Sequence, residues 1–508
     1  MGTRLDARRA ALAAVVAFAL AAIALSVLHG RSTPRYPISR SAAVAAARAD
    51  AFDTRYLARH PARRARAMPL DGRLQRVTFF AGPRVVLDAA VDGHGHVVAR
   101  EEHDPGTPYA GGSLANRWWL LALMTSLFLA VTVVRPLRSL RNLDALALAA
   151  FTADVVLLDR DLLAANVVLS VPLLGYLALR CLRAGTRGRV DAEVRPLLTG
   201  RLLAPLAAAA LGAFLLIVLS SDGEIDVATA SLSGATRLLH WQLPYGHIAG
   251  GVVHGDTYPL LNYLLYVPGA AWRPVTDVWS DVSGALLVTA LAGVAAAVAM
   301  RKLGGLRAAV AWLAFPPVLL AAASGSNDVV VAALLAWLLV AAADRRRSAL
   351  LLTAAAWTKV VPLVLAPVWL ARRDRRREIL LPALALSAVL CGFLVTLGGP
   401  GAIGSMIHAL SFQLERASFF APWQLFSIEW LQPIAQAAVI AAMVWVALEV
   451  RRDPAIWHDP ARIAGLCGAL LLGLQLSASH WYFLYLPWAF PFVAVALLPS
   501  VVRERQPA

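Results

Sequence analysis

Charged residues are scarce in this chain. They make up 15% of its 508 residues, against 59% hydrophobic ones, and the mean hydropathy is +0.64. So little polar surface excludes a soluble globular protein of this length. Only three cysteines occur, Cys181, Cys391 and Cys467. All lie in or beside apolar runs, which excludes a disulfide framework and a cysteine metal motif. A Gly-rich phosphate loop, a Ser-His-Asp signature and a zincin motif are also missing. Their absence argues against ATP-driven transport and ordinary hydrolysis.

What the chain has instead is a series of apolar runs of about 17–22 residues, each the length of a bilayer-crossing helix. The runs are continuous and rich in Ala and Leu, not alternating, so a closed barrel is excluded. The net charge of +16 comes from arginines clustered between runs. That is a positive-inside bias, and no nucleic-acid partner is implied. The charge rule predicts a cytoplasmic N-terminus and a retained anchor over Ala10–Leu28. Spans then follow at Trp118–Val134, Leu143–Leu158, Leu162–Leu179, Leu202–Leu219, Val282–Met300, Ala308–Ala323 and Val329–Ala343. Further spans fit at Leu380–Leu397, Leu431–Leu448, Ile463–Ser477 and Tyr482–Leu498, with a cytoplasmic C-terminus. The stretch Ala349–Leu370 has basic flanks on both sides and is interrupted by Lys359 and Pro362, so it reads as a re-entrant or broken element. Tyr258–Ala271 reads as a short interfacial helix on the outer face. The expected fold is an all-α polytopic cell-membrane protein with about twelve transmembrane helices plus that broken element, and a small α+β extracytoplasmic domain. The domain boundaries are an anchor at 1–29, the outer domain at 30–117, additional helices and a basic loop at 118–201, a membrane core at 202–499 and a tail at 500–508.

In the outer domain Ser39–Ala58 predicts a helix, and Leu74–Phe80, Pro83–Ala90 and His96–Glu101 predict strands. In order and size this segment resembles a PepSY-like module. His94, His96 and His103 are close in sequence but follow no metal-ligand spacing.

The candidate chemistry lies at the outer ends of the apolar runs. Asp222 and Asp226 follow the run ending at Leu219 and are spaced for one helix face. Such a pair can bind a divalent cation or supply a general base. Otherwise it marks a solvated loop. His254, Asp256 and Tyr258 close the same loop, and together with Tyr245 they can bind a sugar or phosphate. Lys359 is a cation in an apolar stretch, where an ammonium needs a carboxylate, a phosphate or a wet cavity. Arg416 can clamp phosphate oxygens through its planar fork. His480 precedes an aromatic cluster of Trp481, Tyr482, Phe483 and Tyr485.

From Leu202 to Pro499 the chain resembles the GT-C superfamily of integral membrane glycosyltransferases, in particular the bacterial polyprenyl-phosphate-mannose-dependent mannosyltransferases. The features that carry the resemblance are Asp222, Leu243-Pro244-Tyr245, Tyr258-Pro259, Ser324–Asp328, Thr358-Lys359, Phe412–Arg416 and His480. The resemblance implies inverting transfer of a sugar from a polyprenyl-phosphate donor to a lipid or glycan acceptor at the outer face. Asp222 would be the base, with Asp226 and Asp256 competing for the role. Lys359, Arg416 and His480 would hold the donor phosphate. Tyr245, His254, Tyr258, Asn327 and Asp328 are the candidates for sugar and acceptor contacts. No cofactor is implied beyond a candidate divalent cation, and the partners are the donor, the acceptor and membrane lipids. Two other classes fit the composition. One is a transporter or flippase, which would also use broken helices and buried charges. The other is a membrane sensor or assembly protein built on the outer domain.

Overall fold

The computed structural model describes residues 38–69, 74–81, 84–102, 117–159, 162–188, 194–198, 200–221, 225–248, 255–275, 281–372, 376–415, 420–426 and 428–498. The anchor expected over Ala10–Leu28 lies outside them.

Two helices open the described chain, α1 (Arg40–Ala49) and α2 (Ala51–Arg59). A single helix was expected here. Asp50 divides it, because its backbone is extended and its Oδ1 accepts the amides of Phe52 and Asp53 at 2.9 and 3.2 Å. A carboxylate is a strong N-cap and competes with helix continuation. Four strands follow, β1 (Arg64–Pro69), β2 (Gln75–Ala81), β3 (Arg84–Val91) and β4 (Val97–Glu102), in an open antiparallel sheet of that order. Sequence reading missed β1, whose Arg-Ala alternation lacks β-branched and aromatic residues. Ala43 and Ala47 of α1 pack with Val77, Phe79, Leu87, Ala89 and Val91 of the sheet.

The remainder is helical. It runs through α3 (Trp118–Thr132), the short strand β5 (Val134–Arg135), α4 (Leu140–Asp159) and α5 (Leu163–Arg187), then β6 (Arg195–Pro196), which pairs with β5. Next come α6 (Leu203–Leu219), α7 (Asp226–Leu239), α8 (Leu260–Trp272), α9 (Ser283–Ala314) and α10 (Pro316–Ala323). After these are α11 (Asp328–Val340), α12 (Arg345–Thr358), α13 (Ala366–Leu370), α14 (Arg377–Gly398) and α15 (Gly401–Glu415). The chain closes with α16 (Pro422–Leu425), α17 (Gln432–Arg452), α18 (Pro460–Ser477) and α19 (Leu486–Leu497).

Among the described residues six helices are long and apolar enough to cross a membrane: Ala164–Arg187, Gly200–Leu219, Ser283–Ala314, Arg377–Gly398, Glu429–Arg452 and Pro460–Ser477. This is the architecture of a multi-pass membrane protein, and it corrects the expectation of about twelve spans with a small α+β extracytoplasmic domain: the described residues hold six candidate spans and two small open sheets. Apolar run length does not reveal where a helix breaks. Val282–Met300 and Ala308–Ala323 were expected as separate spans. Instead α9 runs on past the first span, 32 residues in all, through a kink at Gly305, where φ is +74°. It ends before Pro316, leaving α10 only 8 residues long. α11 has 13 residues and α19 has 12. α4 is 20 residues long but carries Asp144, Asp154 and Asp159. The stretch 349–370 is interrupted at Lys359, whose backbone is extended between α12 and a 3-10 turn at Val361–Leu365.

The largest core cluster joins α3 to α6 with α9 to α11, α18 and α19. One close helix pair in it is α5 with α18. A Cβ on Gly465 would lie 2.6 Å from the Cys181 carbonyl, and one on Gly185 would lie 2.8 Å from the Leu466 amide. Asp144 is fully buried there, but Arg180 meets it with two hydrogen bonds of 2.8 and 2.7 Å, and the Tyr176 hydroxyl donates a third at 2.7 Å. A buried carboxylate is tolerable only when paired in this way.

The helix ends sort by charge. At one end Arg307 donates to the Leu198 carbonyl, Arg462 to the Gly185 carbonyl, and Arg372 lies over the Trp457 ring. At the other end the Ile225 amide donates to the Ser324 carbonyl, Gln413 bonds Thr257, and the Trp423 indole donates to the Ala478 carbonyl. α11 leads away from this second end and α12 returns to it.

Candidate functional site

At that second end the break after α12 places Lys359 against the N-terminus of α11. Its Nζ lies 2.5 Å from Asp328 Oδ1 and 3.5 Å from Asn327 Oδ1. The Lys359 side chain is 15% exposed and that of Asp328 only 2%. The Trp488 indole N–H donates to Asp328 Oδ1 at 2.9 Å, and the Ser326 hydroxyl donates to Asp328 Oδ2 at 2.6 Å. Three aromatic rings surround the ammonium: Tyr485 and Trp488 with centroids at 4.8 Å, and Tyr258 at 5.8 Å. Tyr485 stacks on Trp488 at 4.5 Å. Ring faces carry negative electrostatic potential, so this surround stabilises the cation. The centre therefore holds a charge at the mouth of an apolar bundle without leaving its counter-charge unsatisfied.

The loop ahead of α8 is pinned over this centre. The Tyr245 hydroxyl donates to the Tyr258 carbonyl at 3.1 Å, and the Tyr263 hydroxyl donates to the Gly255 carbonyl at 3.1 Å. Asp256, half-buried, accepts the Gly246 amide at 2.7 Å. Burial, and after it the Asp256 carboxylate, pushes the Tyr245 phenol well above its ordinary range. This phenol stays protonated and can only serve as a hydrogen-bonding group.

An apolar cavity of about 360 Å³ adjoins the centre. Its lining includes Pro259, Leu352, Trp357, Val360, Leu380 and Leu384. Pro259 follows Tyr258 and Val360 follows Lys359, so two chain segments run from the charged centre into the cavity lining.

The structure thus brings together Lys359, Asp328, Asn327 and Tyr258, with Tyr245 behind them. His480 borders the group through an edge contact with Tyr485, ring centroids 6.0 Å apart. Asp226 is exposed as the first residue of α7, and its Oδ1 accepts the Val227 amide at 2.8 Å. Asp222, His254 and Arg416 lie outside the described residues. The divalent cation expected on paired carboxylates is corrected. Among the described residues no group of three or more His, Cys, Asp or Glu side chains is placed to hold a metal ion. Asp226, Asp256 and Asp328 each have different partners on different elements.

Sequence reading missed Ser231, Asn262 and Trp488. Asn262 carried a signal, as a lone amide among apolar residues of α8. Lys359 carried a second one, because it and Lys302 are the chain's only lysines.

No family model matches this chain, nor does any curated protein or any solved structure. That result, together with six candidate spans where about twelve were expected, corrects the resemblance to the GT-C superfamily and its mannosyltransferases, and the resemblance of the outer segment to a PepSY-like module.

Proposed function

We propose that this end of the bundle binds a polyprenyl-phosphate-linked sugar and transfers the sugar, with inversion, to a lipid or glycan acceptor. The observation that carries the reading is the chain adjacency of Lys359 to the apolar cavity: the next residue, Val360, lines a space suited to an aliphatic chain. An anionic lipid combines the same two chemistries. Ser326 and Trp488 already satisfy Asp328, so a phosphate can share the ammonium without stranding a buried carboxylate. Lys359 would neutralise the charge that grows on the departing phosphate. Asp256, in the pinned loop beside Tyr258, would accept the acceptor's proton, since the Asp328 carboxylate is already engaged by Lys359, Trp488 and Ser326. The arginine-rich ends opposite the site support a cytoplasmic placement for those ends and an extracytoplasmic placement for the site.

The test uses the full chain in nanodiscs containing polyprenyl phosphate that carries a radiolabelled sugar. The native protein is expected to move label to membrane acceptors. Asp256→Asn should lose transfer while retaining polyprenyl-phosphate binding, and Lys359→Gln should lose both. Retained lipid binding without transfer by the native protein would overturn the enzyme reading in favour of a lipid carrier.

A further inference from the structure

The polar centre continues behind Lys359, between α7, α8 and the turn before α11. Ser231, Asn262 and Asn327 are all fully buried there. Lys359 Nζ donates to Asn327 Oδ1 at 3.5 Å, Asn327 Nδ2 donates to Asn262 Oδ1 at 2.9 Å, and Asn262 Nδ2 donates to Ser231 Oγ at 3.1 Å. Lysine has donors only, and a carboxamide has one accepting and one donating end. Beside its Asp328 partner, the ammonium can therefore meet Asn327 only through the amide oxygen, and an acceptor at Asn262 keeps that oxygen turned toward it. A reversed Asn327 amide would set its NH2 against the ammonium and its oxygen against the Asn262 oxygen. The turn itself is fixed by the Tyr266 hydroxyl, which donates to the Gly325 carbonyl at 3.1 Å.

We infer that Asn262, anchored by Ser231, is a positioning residue that fixes the Asn327 amide and through it the seat of the Lys359 ammonium. Its functional weight rests on the reading of Lys359 as the group that meets the ligand. The seating itself does not depend on that reading and is measured without lipid ligand.

The two-lysine composition supplies the assay. The full chain in detergent is acylated with a small succinimidyl ester, and modification of Lys359 is read by peptide mass spectrometry relative to exposed Lys302. Releasing the ammonium from its seat should raise its reactivity. Asn262→Leu, which removes the acceptor, is expected to raise the Lys359-to-Lys302 ratio about threefold or more, the scale of one lost hydrogen bond. Asn262→Asp, which keeps an acceptor toward Asn327, is expected to restore a ratio near native. Ser231→Ala should fall between them, and it carries the test with Asn262→Asp if Asn262→Leu does not accumulate. A purely structural role would lower the unfolding temperature and leave the ratio unchanged, which overturns the inference. So would a ratio in Asn262→Asp as high as in the leucine variant, or a native ratio in Ser231→Ala.

Discussion

Lys359 shows what a single residue type in the wrong solvent can reveal. A lysine in an apolar stretch demands a partner, and that demand is legible from sequence because desolvation is a property of the residue. The identity of the partner is not legible, since Asp328 lies 31 positions away and reaches Lys359 only through the fold. Asp328 was read as a contact for sugar or acceptor, yet it is the counter-charge of the lysine. Removing either member leaves the other buried without its charge partner. Lys359→Met is expected to cost about 3–5 kcal/mol of stability, as is typical for breaking a buried pair. Lys359→Met with Asp328→Leu should cost clearly less than the two single changes added together. Unfolding of the four proteins in one detergent, followed by tryptophan fluorescence, checks this. Strict additivity would mean that the pair is not coupled.

At the scale of elements, the apolar runs disclosed helices but not their breaks. Gly305 and Pro316 were visible as letters. Their effect depends on local backbone geometry, which hydropathy averages away. Glycines in this bundle have two separable roles. A Cβ on Gly234 of α7 would come within 2.2 Å of the Tyr263 ring on α8. Gly234→Ala should therefore push apart the two helices behind the site and cost about 1–3 kcal/mol. At Gly305 a Cβ meets nothing within 4 Å, but φ is +74° and ψ −164°. This is a region that essentially only glycine occupies. Gly305→Ala should cost a similar 1–3 kcal/mol through backbone strain alone. Lipid binding separates the two variants. Gly234→Ala is expected to weaken polyprenyl-phosphate binding at matched folded fraction, and Gly305→Ala to leave it intact. Equal losses would show that α9 also shapes the site.

Across the whole molecule, the described contacts between the small sheet and the bundle include Phe80, packed against the bundle core, and an ion pair, Arg66 to Glu429 at 3.8 Å, with both side chains substantially exposed. Pairs of this kind contribute at most about 1 kcal/mol. Glu429→Ala should change the unfolding midpoint little, whereas Asp144→Ala, which leaves half-buried Arg180 without its charge partner, should lower it clearly more. A large effect from Glu429→Ala would mean that the pair anchors the sheet to the bundle. The α5–α18 contact has a consequence for biosynthesis. Arg462 donates to the Gly185 carbonyl at 3.2 Å across 277 positions of sequence. At about 5–20 residues per second, α5 leaves the ribosome some tens of seconds before α18 can reach it. During that interval the α5 face around Gly185 must be covered by lipid chains or by an insertion chaperone, and α18 must displace them. Truncation shortly before α18 should therefore yield a nascent chain that is inserted but susceptible to quality-control proteolysis.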